Sequence, residues 1–228
     1  MEQELRYERK FYVTGTPLPD MLHVIRIHRA LFSEIFHQRQ INNIYFDSPG
    51  FESYFDNMDG AYHRIKARIR WYGETFGLAK KPTLEFKIKK GLLGFKRNFV
   101  LPDLVVDTNI TKDKLLELML GAVDDEHLRS YLHKVNPVLL NVYTRKYFIT
   151  ADKKIRLTID TGLHYYSIMN EGSLFISPVK DDKGIVIEMK YDKDTELLAD
   201  RISSEFPFLM TKNSKYLQGV SRVLGLEL

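Results

Sequence analysis

The sequence of 228 residues contains no cysteine. That absence excludes a disulfide scaffold, a thiolate zinc site and a cysteine nucleophile. No apolar run approaches the roughly 18–20 residues that cross a bilayer, so no membrane insertion is expected. The stretch from Met1 to Lys10 is densely charged and has no secretory-type apolar core, which makes a cytoplasmic protein the expectation. Internal repeats, low-complexity tracts and Gly/Ser-rich linkers are also missing, and the chain reads as one domain over residues 1–228. The histidines show no HExxH or other paired-ligand spacing, and no Gly-x-Ser-x-Gly elbow is present. Gly91-Leu-Leu-Gly-Phe-Lys96 lacks the spacing of a phosphate loop and reads as a hairpin turn, while Asp192-Lys-Asp194 reads as helix capping.

What is present is a chain with 44% hydrophobic and 12% aromatic residues, enough for a packed core. Strands are expected at about Leu5–Val13, Ile41–Asp47, Tyr62–Tyr72, Thr83–Lys90, Phe95–Leu101, Leu139–Thr150, Lys154–Leu163 and Gly184–Tyr191, with Leu174–Pro178 a further candidate. Helices are expected at Leu18–Phe36, Lys112–Leu120 (capped by Thr111 and stopped by Gly121), Asp124–Lys134, Thr195–Phe206 and Ser214–Leu224. Antiparallel strands with helices in the long connections indicate an α+β fold with a barrel-like sheet.

The net charge of +4 is too small to name a partner. Its placement is more informative, because alternate side chains of a strand share a face. Arg64, Lys66, Arg68 and Arg70 line one face of their strand, opposite Ile65, Ala67, Ile69 and Trp71. Arg6, Glu8 and Lys10 form a second row, with Arg9 the one charge on the apolar side. Further rows are Glu85, Lys87 and Lys89; Arg156, Thr158 and Asp160; and Glu188 and Lys190, while Arg145 shares a face with Tyr143 and Tyr147. These rows hold eleven cations and four anions, a larger excess than the whole chain carries. Any one row is explained by the solvated face of a half-buried sheet. The set is less easily explained so, because like charges on neighbouring strands repel, and a polyanion such as a phosphate chain would offset that repulsion.

Eight segments in sequence order resemble the VTC domain, the polyphosphate polymerase branch of the triphosphate tunnel metalloenzyme (CYTH-like) superfamily. They are Arg6-Tyr-Glu8-Arg-Lys10-Phe; Ile44-Tyr-Phe-Asp47-Ser-Pro; Asp59-Gly60 with Ile65-Lys-Ala-Arg68-Ile-Arg70-Trp-Tyr-Gly73; Leu84-Glu85-Phe-Lys87; Tyr143-Thr-Arg145-Lys-Tyr147; Ile155-Arg156-Leu-Thr-Ile-Asp160-Thr; Ile187-Glu188-Met-Lys190-Tyr; and Asn213-Ser214-Lys215-Tyr216. The resemblance implies a closed antiparallel eight-stranded β-barrel, a tunnel with flanking and capping helices. It implies transfer of the γ-phosphoryl group of ATP onto inorganic polyphosphate, with Mn²⁺ or Mg²⁺. The family's phosphate-binding and catalytic positions fall on Lys10, Arg68, Arg70, Lys87, Arg145 and Arg156. Arg97 resembles the basic residue on the strand after Lys87, and Ser214 and Lys215 the pair at the tunnel mouth. Glu188 resembles the metal-ligand glutamate.

On the same charged rows, Arg64, Lys66, Lys89 and Lys190 are further candidates for substrate binding. Glu8 is either a second metal ligand or a neutralising neighbour of lysine, and Asp160 a residue that holds an arginine in place. Hydrolytic superfamily members begin with Glu-x-Glu-x-Lys, whereas the run here is Arg6-x-Glu8-x-Lys10. That exchange removes a possible metal ligand and counts toward a polymerase. Two alternatives stand beside it: a triphosphate hydrolase or cyclase of the same fold, and a module that binds polyphosphate or single-stranded RNA without turnover. RNA is disfavoured, because Trp71, Phe86 and most other strand aromatics lie opposite the cations.

Overall fold

Strand alternation, read above from the charges, is the organising feature of the computed structural model, which describes residues 6–91, 93–168 and 178–225. The side chains of Arg6 and Leu93 are outside that description, as is most of the Leu174–Pro178 strand expectation. The elements in chain order are β1 (Arg6–Val13), α1 (Leu18–Ile27), β2 (Ser33–Asp47), α2 (Glu52–Met58), β3 (His63–Tyr72), β4 (Gly77–Ala79), β5 (Thr83–Lys90), β6 (Leu93–Val100) and β7 (Leu104–Val106). They continue with α3 (Lys112–Ala122), α4 (Glu126–Leu132), β8 (Asn136–Ile149), β9 (Arg156–Ser167), β10 (Val179–Asp181), β11 (Ile185–Asp192), α5 (Glu196–Ser204) and α6 (Lys215–Leu224). The fold is α+β. The main sheet follows the order β1-β11-β9-β8-β2-β3-β5-β6, with β10 paired to β9, and β4 pairs β7 separately.

The expected closed ring of eight strands is not seen among the described residues, because the ladder is an open path that ends at β1 and β6. A physical reason is visible at β1. Its outer edge is taken by a bridge between Phe11 and Met210 and by Thr211 N donating to Lys10 O at 2.8 Å. Covering an edge in this way removes a template for further pairing.

The chain divides into two compact units, Met1–Arg39 with Tyr143–Leu163 and Asp181–Asn213, and Gln40–Val142 with His164–Lys180 and Ser214–Leu228. In the first unit the apolar faces of β1, β9 and β11 bury Phe11, Leu157, Ile159, Ile187 and Met189 against Met21 and Ile25 of α1 and Ala199 and Ile202 of α5. Arg9, on this same apolar side, is half of a lock on α5. Its guanidinium donates to Tyr191 Oη at 2.9 Å, Ser203 Oγ at 2.7 Å and Glu196 Oε1 at 2.5 Å, and lies 2.6 Å from Asp200.

Helix α1 is shorter than its apolar pattern predicts. It stops at Ile27, with His28 extended at its C-cap, and Leu31 takes a left-handed φ of 52°. Leu31, Ile35 and Phe36 fit a helical stripe but are 66%, 36% and 51% exposed, so no core rewarded continuing the helix. Ile35 and Phe36 fall instead in the first half of β2, whose residues 33–39 are exposed on both faces.

In the second unit Ile44 and Phe46 of β2, Ala67, Ile69 and Trp71 of β3 and Leu84 and Phe86 of β5 pack with Leu115 and Met119 of α3 and Leu128 and Leu132 of α4. Thr111 caps α3 by accepting from Lys114 N at 3.2 Å, but Gly121 lies inside its last turn instead of stopping it. Ser214 caps α6 and Gly225 ends it with a φ of 68°. Within α6, Gly219 permits a close approach: a Cβ there would lie 2.4 Å from Leu139 Cδ2 and 2.6 Å from Tyr165 Cδ1. Both neighbours are fully buried. Gly219→Ala is therefore expected to destabilise by about 1–2 kcal/mol, overcoming a helix-propensity gain of about 1 kcal/mol. Urea unfolding of the full chain checks this, and an unchanged or higher midpoint would contradict the close packing.

Candidate functional site

Cross-strand register makes one continuous charged face from β3, β5 and β6 in the second unit. Arg64 pairs with Lys89, Lys66 with Lys87 and Arg68 with Glu85, and Lys87 pairs in turn with Lys96. With Arg70 this face carries seven cations, Arg64, Lys66, Arg68, Arg70, Lys87, Lys89 and Lys96, around one carboxylate, Glu85. The opposite side chains of the same strands, Ala67, Ile69, Leu84 and Phe86, are fully buried in the core. The apolar face thus fixes the pleat, and the pleat forces the cations together.

Glu85 is the hub. Its Oε2 accepts from Arg68 Nε at 2.8 Å and Nη2 at 2.5 Å, and its Oε1 from Lys96 Nζ at 3.1 Å. Arg70 Nη1 lies 3.6 Å from Oε1. Burial alone would raise the Glu85 pKa, but Arg68, Arg70 and Lys96 outweigh it and hold the carboxyl at about 2. Strand β2 supplies neutral neighbours: Tyr45 Oη accepts from Arg68 Nη1 at 3.2 Å, and Asn43 Oδ1 from Arg70 Nε at 2.9 Å. Asn43 Nδ2 is buried and has no hydrogen-bond partner among the described residues.

The start of α6 borders this face. Lys66 Nζ donates to the capping hydroxyl of Ser214 at 3.4 Å and lies 5.5 Å from the centroid of the Tyr216 ring. Lys215 is buried in the same first turn. Tyr216 Oη donates to Asp47 Oδ2, and burial followed by the Asp47 charge pushes the phenol pKa well up. Asp47, with 0% exposure, also accepts from the backbone N–H groups of Ser48, Ser53 and Tyr54 at 2.8, 2.9 and 3.0 Å.

The first unit has its own charged face on β1, β11, β9 and β8, with a different balance. Glu8 pairs with Lys190 and Lys10 with Glu188, while Thr158 pairs with Glu188 and the exposed Arg156 with Lys190. Here the signs interleave. Lys10 Nζ is 3.3 Å from Glu8 and 4.0 Å from Glu188, and Lys190 Nζ is 3.6 Å from Glu8 and 3.8 Å from Glu188. Lys10 also donates to Asn213 O at 3.2 Å. Arg145 is held by Asp160 through two bonds of 2.5 and 2.6 Å, and reaches Glu188 at 3.3 Å. Burial opposes its charge, but Tyr143, Asp160 and Glu188 hold the guanidinium firmly protonated. Among the described residues no three His, Asp or Glu side chains gather into a metal-ligand cluster.

Of the residues expected from the sequence, Arg64, Lys66, Arg68, Arg70, Lys87 and Lys89 share the second unit's face, with Ser214 beside Lys66. Lys10, Arg145, Arg156, Lys190, Glu8 and Glu188 share the face of the first unit. Arg97 is not brought to either. It pairs with Phe86 in the ladder and donates to Asp125 at 3.3 Å, on the side away from the cations. Lys96 occupies the cationic position instead. Sequence reasoning passed over Lys96, Asn43, Tyr45 and the anchoring role of Asp47. Alternation of Phe95, Arg97 and Phe99 is the signal available for Lys96; Tyr45 and Asp47 stand in a segment that resembles the family, and nothing local marks Asn43.

Glu85 ties stability to pH. Its pKa lies near 2 when folded against 4.5 as the ordinary value, so its contribution is complete above pH 4.5 and is lost as pH falls toward 2. The size is about 3 kcal/mol. Urea unfolding between pH 6 and 2.5 should show the gap between the wild type and Glu85→Gln closing over that window, and a gap independent of pH would contradict the hub.

The family model of the VTC domain matches residues 5–224 of the chain. No curated protein matches it. Among solved structures it is similar to a protein of Pyrococcus horikoshii OT3, at 17% identity and a TM-score of 0.49 over 96% of this chain and 98% of that one. It is also similar to a provisionally assigned adenylate cyclase of Vibrio parahaemolyticus, at 13% identity and a TM-score of 0.51 over 95% and 99% of the two chains. A third is a provisionally assigned adenylyl cyclase from Hippeastrum with a dominant triphosphatase activity, at 14% identity and a TM-score of 0.50 over 98% of both chains. The last two likenesses are of fold. Matched over nearly its whole length by the family model, the chain belongs to the VTC-domain family.

Proposed function

We propose that the protein binds a triphosphate, that of ATP, and transfers its γ-phosphoryl group to a growing inorganic polyphosphate chain. The observation that carries this reading is the face of seven cations around Glu85. A solvated sheet face mixes signs, whereas this one keeps an excess that a phosphate chain would offset. Arg68 and Arg70 would grip non-bridging oxygens with paired N–H donors, and Lys66, Lys87, Arg64 and Lys89 would extend the field along the strands. Lys10, Arg145, Arg156 and Lys190 belong to the same proposal, as do Ser214 and Lys215. The reading of residues 1–228 as one domain belongs to the same proposal.

Phosphoryl transfer needs alignment and positive charge more than covalent help. The terminal oxygen of a polyphosphate acceptor is already anionic near neutral pH, so no general base is required. In-line attack on the γ-phosphorus forms the new P–O bond as the bond to the leaving nucleoside diphosphate breaks. Excluding water is what separates elongation from hydrolysis.

Mn²⁺ or Mg²⁺ fits the residues present. Glu8 and Glu188 offer hard oxygen donors, and such ions are commonly held by one or two carboxylates together with substrate phosphates. When bound, the ion supplies positive charge to phosphate oxygens. Lys10 and Lys190, interleaved with both carboxylates, would carry the same oxygens. A second reading, triphosphate hydrolysis at the same face, draws support from the triphosphatase activity of the Hippeastrum protein.

Incubating the protein with ATP and Mn²⁺ and resolving the products tests the choice. Lengthening phosphate chains are expected; orthophosphate alone would favour the hydrolase, and no turnover would contradict both. Binding is tested at Lys66 and Lys87, which face each other across β3 and β5. Arg68 and Arg70 suit this purpose less well, since losing them would leave Glu85 buried with fewer partners. The Lys66→Ala, Lys87→Ala double variant should weaken tripolyphosphate binding roughly tenfold or more, with a thermal transition unchanged or raised. Calorimetric titration checks it, and retained affinity would contradict the assignment.

A further inference from the structure

Three arginines of the charged faces have their Nε atoms held in two different ways. Asp160, fully buried, takes Arg145 side-on, with Nε on one oxygen at 2.5 Å and Nη2 on the other at 2.6 Å. Glu85 takes Arg68 through Nε at 2.8 Å and Nη2 at 2.5 Å. Arg70 is the exception. Its Nε donates at 2.9 Å to the amide oxygen of Asn43, a residue buried as fully as Asp160. Its Nη2 has no partner among the described residues. The carboxylate oxygen within reach, Glu85 Oε1, lies 3.6 Å from Nη1 and is shared with Lys96.

The amide costs stability. Arg70 Nε–H can only donate, so Asn43 has to turn its oxygen toward it. That orientation leaves Asn43 Nδ2 buried and without a partner among the described residues, and an unmade bond to a buried donor is destabilising. Aspartate has nearly the same shape, only accepts, and would leave no donor orphaned. It could meet Arg70 as Asp160 meets Arg145. On a face where Arg68, Arg70 and Lys96 hold Glu85 ionised, it would also keep its charge. What aspartate would remove is the free end of the guanidinium: a carboxylate of its own would occupy the side-on fork and cancel the charge.

We propose that Asn43 is a positioning residue for phosphate: as a neutral acceptor it fixes the Arg70 guanidinium at Nε and leaves Nη2, with the positive charge, to a phosphate oxygen. This inference rests on the proposed function, in that it concerns how that site meets its phosphate ligand. Asn43 need not touch the ligand, and its effect on affinity runs through Arg70. Stability is given up for affinity at this position.

The test is calorimetric titration of tripolyphosphate into the full-length wild type, Asn43→Asp and Asn43→Leu at two ionic strengths, with the thermal transition of each. No binding by the wild type would remove the proposed function, a failure seen without any variant and so separate from that of this inference. Given wild-type binding, Asn43→Asp is expected to raise the transition and to weaken binding roughly tenfold or more. Its affinity should also respond less to added salt, because one cation fewer meets the ligand. Asn43→Leu removes the acceptor without adding charge. It should weaken binding roughly threefold and keep the salt response of the wild type, since Arg70 stays charged but is no longer aimed. A merely structural asparagine would move stability and affinity in the same direction, whereas the proposal sets them in opposite directions in Asn43→Asp. A transition that falls in Asn43→Asp, loss of folding included, or full affinity in either variant, would overturn the proposal.

Discussion

Like-charge crowding on β3, β5 and β6 is the constraint around which the second unit is built. Two-residue alternation, locked by Ile69, Leu84, Phe86 and Ala67 on the other face, leaves the cations no way to turn apart without breaking the core. The fold answers with one buried carboxylate, Glu85, which ties together three of them. It also answers with neutral holders: Tyr45 and Asn43 on β2, and Ser214 and Tyr216 on α6. On these three strands seven cations stand against one carboxylate, and that excess is what the functional reading turns on.

The charged face of the first unit follows a different logic. Glu8, Lys10, Glu188 and Lys190 alternate in sign across β1 and β11, and each ammonium lies within 4.0 Å of both carboxylates. Asp160 takes up Arg145 in a buried two-bond pair. Breaking such a pair leaves an uncompensated buried charge, which is costly even where the pair itself adds little. Under the proposed function these carboxylates would hold the metal ion, and the second unit's face would meet phosphate.

The cationic rows were legible from the sequence because strand alternation is a short-range rule, and β3 obeys it without interruption from His63 to Tyr72. The longer strands and the cap at Thr111 were readable from equally local patterns, whereas the short β4, β7 and β10 and the first half of β2 were not. Failures came where a local pattern had two solutions or where partners are distant in sequence. Leu31, Ile35 and Phe36 repeat at helical spacing, yet the left-handed Leu31 turns the chain into β2. Family resemblance puts Arg97 with the basic positions, whereas the ladder pairs it with Phe86, on the side of Phe95 and Phe99. Edge coverage of β1 by Met210 and Thr211 is a long-range contact that no local pattern announces. The same holds for Asp47, whose hydroxyl partner Tyr216 is 169 positions away.

In the proposed function the excess of positive charge on β3, β5 and β6 is held in place to receive a phosphate chain. The most direct measurement is the thermal transition of the full chain with orthophosphate, pyrophosphate and tripolyphosphate at fixed ionic strength. The transition is expected to rise in that order, because each added phosphate engages more of the row. A transition indifferent to all three anions, or raised equally by each, would contradict it.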